Sequence, residues 1–198
     1  MPLPLAHGLV GGTLAVALWP ERTPAGLRRA LVVGAVLGVC PDADYLLSRL
    51  RVLGWGWHHG FTHSVAFAAI AGAIASWGLG LRGWRGALAC VLPLLSHPLL
   101  DYLVTESRGV ALWWPVSGRR TKLGIDALSY YRIAAGSEGA IAVMKLCAIE
   151  AVLFGPLLVL AVRIRRRRLR AQGEPGGLTA AALRARPSSP GRARPDRE

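Results

Sequence analysis

Charge is scarce in this chain of 198 residues: 18% are Asp, Glu, Lys or Arg, while 53% are hydrophobic. A soluble domain of this size carries more charge. The apolar residues also come in long blocks, which points to a membrane protein. Cysteine is scarcer still. Cys40, Cys90 and Cys147 are odd in number, lie far apart and form no CxxC pair. A disulfide framework therefore has no support, and the three read as buried free thiols. Cys40 is also weighed as a metal ligand, because it adjoins an acidic motif. No Lys or Arg precedes the first apolar run in MPLPLAHGLVGGTLAVALWPERT. A secretory signal has a positive leading region, so this stretch is expected to be a retained membrane helix. No internal repeat is evident. No nucleic-acid-binding motif accompanies the net charge of +13, so no nucleic-acid partner is expected.

What is present is five apolar segments, spanning about Leu5–Trp19, Ala30–Cys40, Ser64–Leu81, Trp84–Val104 and Gly139–Val162. A spanning helix needs about 20 apolar residues. The third to fifth segments meet or approach that, whereas the first two are short and call for tilt or polar extension. Gly and Ala are abundant in all five, which permits close helix contacts. The fold class expected is an all-α, polytopic membrane bundle of about five helices, with a bacterial inner-membrane, multi-pass location. Residues 1–162 would form the membrane domain and residues 163–198 a basic cytoplasmic tail, disordered from about Ala171. The tail holds eleven arginines against three acids. Its expected partners are anionic membrane lipids, or a protein in the cytoplasm.

The positive-inside rule places the loops carrying Arg22, Arg28 and Arg29, then Arg82 and Arg85, then Arg163 to Arg170, in the cytoplasm. The opposite side collects seven basic residues against eleven. Alternation of five spans then has a consequence that does not depend on orientation. His7, the PDAD pair Asp42 and Asp44, His58, His59 and His63 in HHGFTHS, and His97 and Asp101 in SHPLLDY all fall on one membrane face. Every histidine and three of the five aspartates are there.

The spacings suit a metal. His97 and Asp101 are four apart and share a helix face, with Pro98 expected to start or kink the helix. His58 and His63 converge only if the chain turns between them, which Gly60 permits. Pro41 is expected to end the second helix and present Asp42 and Asp44 from a loop. Each motif alone has a plainer reading: PDAD as a turn or cap, HHGFTHS as a cap with Thr62 or Ser64 holding the first amides of the next helix. Mixed His/Asp ligation suits a divalent metal, zinc first, with manganese or iron as alternatives, and the number of donors suits one or two ions.

PDAD, HHGFTHS and SHPLLDYLVTESRGVALWWPVS resemble the YdjM-like membrane-bound metal-dependent hydrolases over about residues 5–120. By that resemblance His7, Asp42, Asp44, His58, His63, His97 and Asp101 match the family's polar positions, and Gly109 and Pro115 its later glycine and proline; the expected metal ligands are drawn from His7, Asp42, His58, His63, His97 and Asp101. His59 stands where the family usually has arginine; a histidine there either binds an anion, which requires a protonated ring, or joins the metal. The arrangement is also distantly similar to the helical zinc-dependent phospholipases C. The reading is a metal-dependent hydrolase acting on a lipid or other amphiphilic ester or phosphoester. His63, His97 and Asp101 are the first choice of ligands, with His58 and Asp42 next. Asp44 orients a ligand histidine or acts as general base, and Asp42 shares that catalytic assignment. Arg108, Arg119 and Arg120 are candidates for an anionic headgroup, against the plainer reading as lipid anchors. Two other classes compete: a non-enzymatic scaffold with a structural metal, and a metal transporter using Glu150 and Lys145 in the last helix, where a helix–helix contact is the better reading.

Overall fold

The computed structural model describes residues 3–50, 58–103, 109–125 and 139–173. Among these the chain is helical, with one isolated antiparallel bridge between Val110 and Thr121. The helices are α1 (Pro4–Leu18), α2 (Pro24–Val39), α3 (Ala43–Arg49), α4 (Val65–Gly78), α5 (Trp84–Leu103) and α6 (Gly139–Gly173). Single 3-10 turns at Cys40–Asp42 and Phe61–His63 join the set. Three helical stretches are long and apolar enough to cross a membrane: Pro24–Arg49, Trp84–Leu103 and Gly139–Gln172.

Several boundaries differ from the sequence expectation, each for a physical reason. α2 starts at Pro24 rather than near Ala30, because Thr23 accepts a hydrogen bond from the Gly26 amide at 2.9 Å and Pro24 fits the first turn. Arg28 and Arg29 therefore lie inside it. Pro41 does not end the path in a loop. It occupies the first turn of the 3-10 segment, which passes straight into α3. The second apolar segment is thus long enough to span, whereas the third yields only the 14 residues of α4. Pro98 neither starts nor ends α5, which runs on through both Pro93 and Pro98. α6 continues unbroken past Val162 to Gly173, so the basic run Arg163–Arg170 is helical. Arginine is a good helix former, and apolarity and helicity end at different places. The rest of the expected tail lies outside the described residues.

α1 packs against α2, α5 and α6, and α4 against α5. The apolar core joins Ala15, Val16 and Trp19 of α1 to Leu27, Ala30, Leu81, Ala89 and Cys90. Of the cysteines, Cys90 is buried, Cys147 half-buried and Cys40 exposed, and all three are free thiols. Large apolar side chains such as Val32, Ile70, Ile74, Trp77 and Val152 face outward, as suits a lipid-facing surface. Glu150, fully buried in α6, accepts hydrogen bonds from the Leu3 and Ala6 amides at 2.6 and 2.9 Å. α1 has no side-chain cap of its own. Glu150 supplies one from another helix, satisfying amides that would otherwise be orphaned in an apolar setting. This is the helix–helix contact expected for that residue.

α1 and α2 meet along Gly11, Ala15, Gly34 and Gly38. A β-carbon on Gly11 would overlap the Gly34 carbonyl, and one on Gly38 the His7 carbonyl. Such close approach is how membrane helices gain contact without a hydrophobic drive. Gly11→Val is therefore expected to lower stability in detergent by about 1–3 kcal/mol through overpacking. Gly155, whose β-carbon would meet nothing within 4 Å, should tolerate alanine. Thermal melts of both variants check this, and equal melts would remove the close contact as a determinant.

Candidate metal centre

The polar residues converge at the end of the bundle where α1 begins, α2 ends and α5 ends. Asp42 sits on the Cys40–Asp42 turn and Asp44 opens α3. His63 closes the turn Phe61–His63, directly before Ser64, which caps α4 by accepting from the Phe67 amide at 3.0 Å. His97 and Asp101 share one face of α5. The reversal between His58 and His63 is shared by Gly60, whose φ of −91° and ψ of −123° lie outside the regions open to other residues, as the glycine there allows, and His59, whose φ is 62°. Histidine is among the residue types that accept this left-handed conformation more often than most.

Two carboxylate oxygens and the two inner imidazoles stand at distances from His63 and His97 that suit a shared ion. His97 Nε2 lies 3.2 Å from His63 Nε2, 3.3 Å from Asp42 Oδ1 and 3.5 Å from Asp101 Oδ2. His63 Nε2 lies 3.5 Å from Asp101 Oδ2 and 3.7 Å from Asp42 Oδ1. Tetrahedral bonds of about 2.0–2.2 Å put ligand atoms roughly 3.3–3.6 Å apart. His63, His97 and Asp101 are fully buried, and the Asp42 side chain is 16% exposed. Asp42 Oδ1 is buried with no hydrogen-bond partner. The residues present therefore fit a small divalent cation.

Both inner imidazoles are oriented from behind. His97 Nδ1 is 2.7 Å from the Gly38 carbonyl, so it donates there and turns its Nε2 lone pair toward the other donors. The Thr62 hydroxyl donates to Asp44 Oδ2 at 2.5 Å, which leaves its oxygen to accept from His63 Nδ1 at 3.0 Å. Asp44 Oδ2 is itself 3.4 Å from His63 Nδ1. Such partners fix the tautomer of a ligand histidine. Asp44 is buried and uses its other oxygen on His58 Nδ1 at 2.8 Å. Both Asp44 oxygens are thus engaged by neighbouring side chains.

The remaining candidates flank the four. His7 stacks on His97 with ring centroids 3.7 Å apart, and its Nε2 lies 3.7 Å from Asp101 Oδ1. Both His7 ring nitrogens are buried without a hydrogen-bond partner. With Asp42 and His97 it forms a second group able to hold a metal. His58, His59 and His63 form another, on the side where His58 is 18% exposed. Cys40 is in none of these groups among the described residues.

Two electrostatic facts follow for the histidines of the turn. Burial opposes charge on His63, yet Asp101, Asp42 and Asp44 around it outweigh burial and raise its pKa from 6.5 to about 10. For His59, burial, reinforced by the neighbouring imidazoles of His63 and His58, lowers it to about 4. His59 is thus neutral near pH 7. The anion-binding role considered for it needs an imidazolium, and that is the form burial disfavours. Its Nε2 instead lies 4.0 Å from Asp101 Oδ2, without a hydrogen-bond partner.

The 109–121 loop closes over the histidine turn. Ala111 N bonds the His59 carbonyl at 3.1 Å, and Val65 N bonds the Leu112 carbonyl at 3.0 Å. Gly109 has φ 85°, and a β-carbon there would lie 2.9 Å from the Thr121 carbonyl oxygen. Only glycine fits. Arg119 is exposed and outside the cluster, with its amide on Ser117 Oγ at 3.2 Å. Its neighbour Arg120 makes the connection instead, donating to the His58 carbonyl at 2.8 Å. Arg108 lies outside the described residues. Thr62, expected as a helix cap, belongs to the site, and Ser64 alone performs the capping. The Gly38 carbonyl carries no sequence signal at all, since its partner is 59 residues away.

A profile described as YdjM inner membrane protein matches residues 1–170. The chain is 33% identical over 153 residues to the inner membrane protein YbcI of Escherichia coli (strain K12), covering 70% of this chain and 86% of that relative. No solved structure matches. With the profile covering nearly all the described helices, the chain belongs to the YdjM inner membrane protein family.

Proposed function

We propose that this protein is a multi-pass, metal-dependent hydrolase that works at the interface of the inner membrane on an amphiphilic ester or phosphoester. The observation that carries the reading is the set of four donor atoms, His63 Nε2, His97 Nε2, Asp42 Oδ1 and Asp101 Oδ2. Every separation to either histidine in that set is between 3.2 and 3.7 Å. A divalent ion held there, zinc by ligand type, supplies Lewis-acid polarisation and acidifies water. Asp44 and Thr62 hold the His63 tautomer, and the Gly38 carbonyl holds that of His97. The cluster is open at Asp42 and His58, its two part-exposed members. Asp42, the most exposed of the four, is in this reading either the fourth ligand or, with three ligands leaving an open position on the ion, the base that takes a proton from an incoming nucleophile.

The setting of the centre favours an amphiphilic substrate: it sits at one end of helices whose outward side chains, Val32, Val36, Ile70 and Ile74 among them, are apolar. A structural role for the ion is the second reading, because the donors join the end of α2, the histidine turn and α5.

Purified protein is expected to hold at least about one divalent ion per chain by elemental mass spectrometry. His63→Ala and Asp101→Ala should abolish binding, and Asp44→Asn should weaken it by about 10–100-fold. A metal-free protein after reloading would sink the proposal. If the ion binds but its removal only unfolds the protein, and no ester or phosphoester in micelles is cleaved, the structural reading stands instead.

Acidity gives a further check. A cation entering the centre must displace the His63 proton. Metal affinity should therefore rise by about tenfold per pH unit below pH 10. The raised pKa also stabilises the ion-free fold in full below pH 6.5, a contribution lost as pH climbs through about 10. The loaded protein should lack that loss. Calorimetry at pH 7.5 in two buffers of different ionisation enthalpy reads the released proton directly, and zero release would contradict the assignment of His63.

A further inference from the structure

The opposite end of the bundle holds a second polar cluster that the proposed chemistry does not use. Arg22 from the α1–α2 connection, Arg85 from the first turn of α5, and Arg165 and Arg168 from α6 line one partly enclosed pocket with Leu169 and Gln172. Its enclosed space is small, about 10 Å³, room for one water-sized sphere, so an anion held by these arginines would sit at the mouth of the pocket. Four guanidinium groups from three separate parts of the chain meet there. Arg165 is only 6% exposed, and one terminal nitrogen donates to the Glu21 carbonyl. Its Nε is buried without a hydrogen-bond partner, as is that of Arg85. The nearest acidic side chain in sequence, Glu21, is engaged by Arg29 at 2.6 Å. Among the described residues no carboxylate pairs with any of the four.

Like charges gathered in a part-buried pocket repel, and a buried N–H left unpaired is costly. A phosphate group answers both: it carries the compensating charge, and its oxygens match the planar donor fork of arginine. The pocket lies at the end of the bundle that the positive-inside rule assigns to the cytoplasm. Trp84, against which the Arg85 guanidinium packs at 5.8 Å, is exposed, as suits the headgroup level of a membrane. We propose that Arg22, Arg85, Arg165 and Arg168 form a binding site for a phosphate-bearing anion, supplied by the headgroup of an acidic phospholipid or by a soluble phosphate. This assignment is independent of the metal centre.

The test uses the full chain in detergent, with phosphatidylglycerol, phosphatidylcholine and inorganic phosphate as probes, read by native mass spectrometry and thermal shift. Arg165 anchors the Glu21 carbonyl, so its loss risks misfolding. The informative variant is Arg22→Gln with Arg168→Gln, both exposed. The charge-matched control is Arg163→Gln with Arg167→Gln, on the same helix but outside the pocket. Preferential retention of phosphatidylglycerol over phosphatidylcholine, reduced about fivefold or more in the pocket variant and under twofold in the control, is the result expected for a lipid source. Stabilisation by inorganic phosphate with the same dependence on the pocket variant supports the site with a soluble source. Equal losses in both variants, or binding of neither anion, would overturn it.

Discussion

Carboxylates buried together are the constraint on which this end of the protein depends. Asp44 and Asp101 are at most 1% exposed, and Asp42 stands beside them. Such groups are costly in an apolar setting unless positive charge and hydrogen bonds surround them. In the ion-free chain the His63 imidazolium supplies that charge, within 3.4–3.7 Å of all three carboxylates. Every element at this end is tied to the arrangement. α2 contributes the Gly38 carbonyl, the 3-10 turn and α3 contribute the PDAD pair, and α5 contributes His97 and Asp101. The 109–121 loop is fastened to the carbonyls of His58 and His59. A divalent cation with the same donors would replace one proton by two charges, a better match to three carboxylates.

Gly38 links the constraint to the packing. Its missing side chain lets α1 approach at the His7 carbonyl, and its own carbonyl fixes His97. A side chain at this position would move His7 outward and displace the group that sets the His97 tautomer. Helix packing and donor geometry are therefore one problem here, which is consistent with the general rule that supporting groups matter nearly as much as the ligands.

The apolar segments were readable from hydropathy because lipid-facing helices need long apolar runs. α1, α4 and α5 fall within a few residues of expectation. Their ends failed where hydropathy and helicity separate. Arg28 and Arg29 hid the start of α2, whose real signal is the Thr23–Pro24 cap, and the arginine run after Val162 looked like a tail but extends α6. Alternation of spans brought the histidines and aspartates to one end, so which of them meet in one cluster was legible. The roles within it were not. Asp44 as a partner of His58 and Thr62, Thr62 as a relay and Arg120 as a loop fastener depend on hydrogen bonds between residues 14, 18 and 62 apart, and no local pattern encodes such pairings.

The two polar ends also explain how α6 is held. Only 11% of its apolar window is buried, and lipid offers no hydrophobic drive for a helix to leave it. Hydrogen bonds must then set its place. Glu150 grips the first amides of α1 at the metal end, and Arg165 grips the Glu21 carbonyl just beyond α1 at the arginine end. The two residues are fifteen apart, a rise of about 22 Å, close to the length of α1. α6 is thus stapled along α1 at both ends, and the two helices pack against each other between them. The staple that seats α6 also draws Arg165 inward, which is why an arginine from a run otherwise exposed to solvent comes to line a pocket with Arg22 and Arg85.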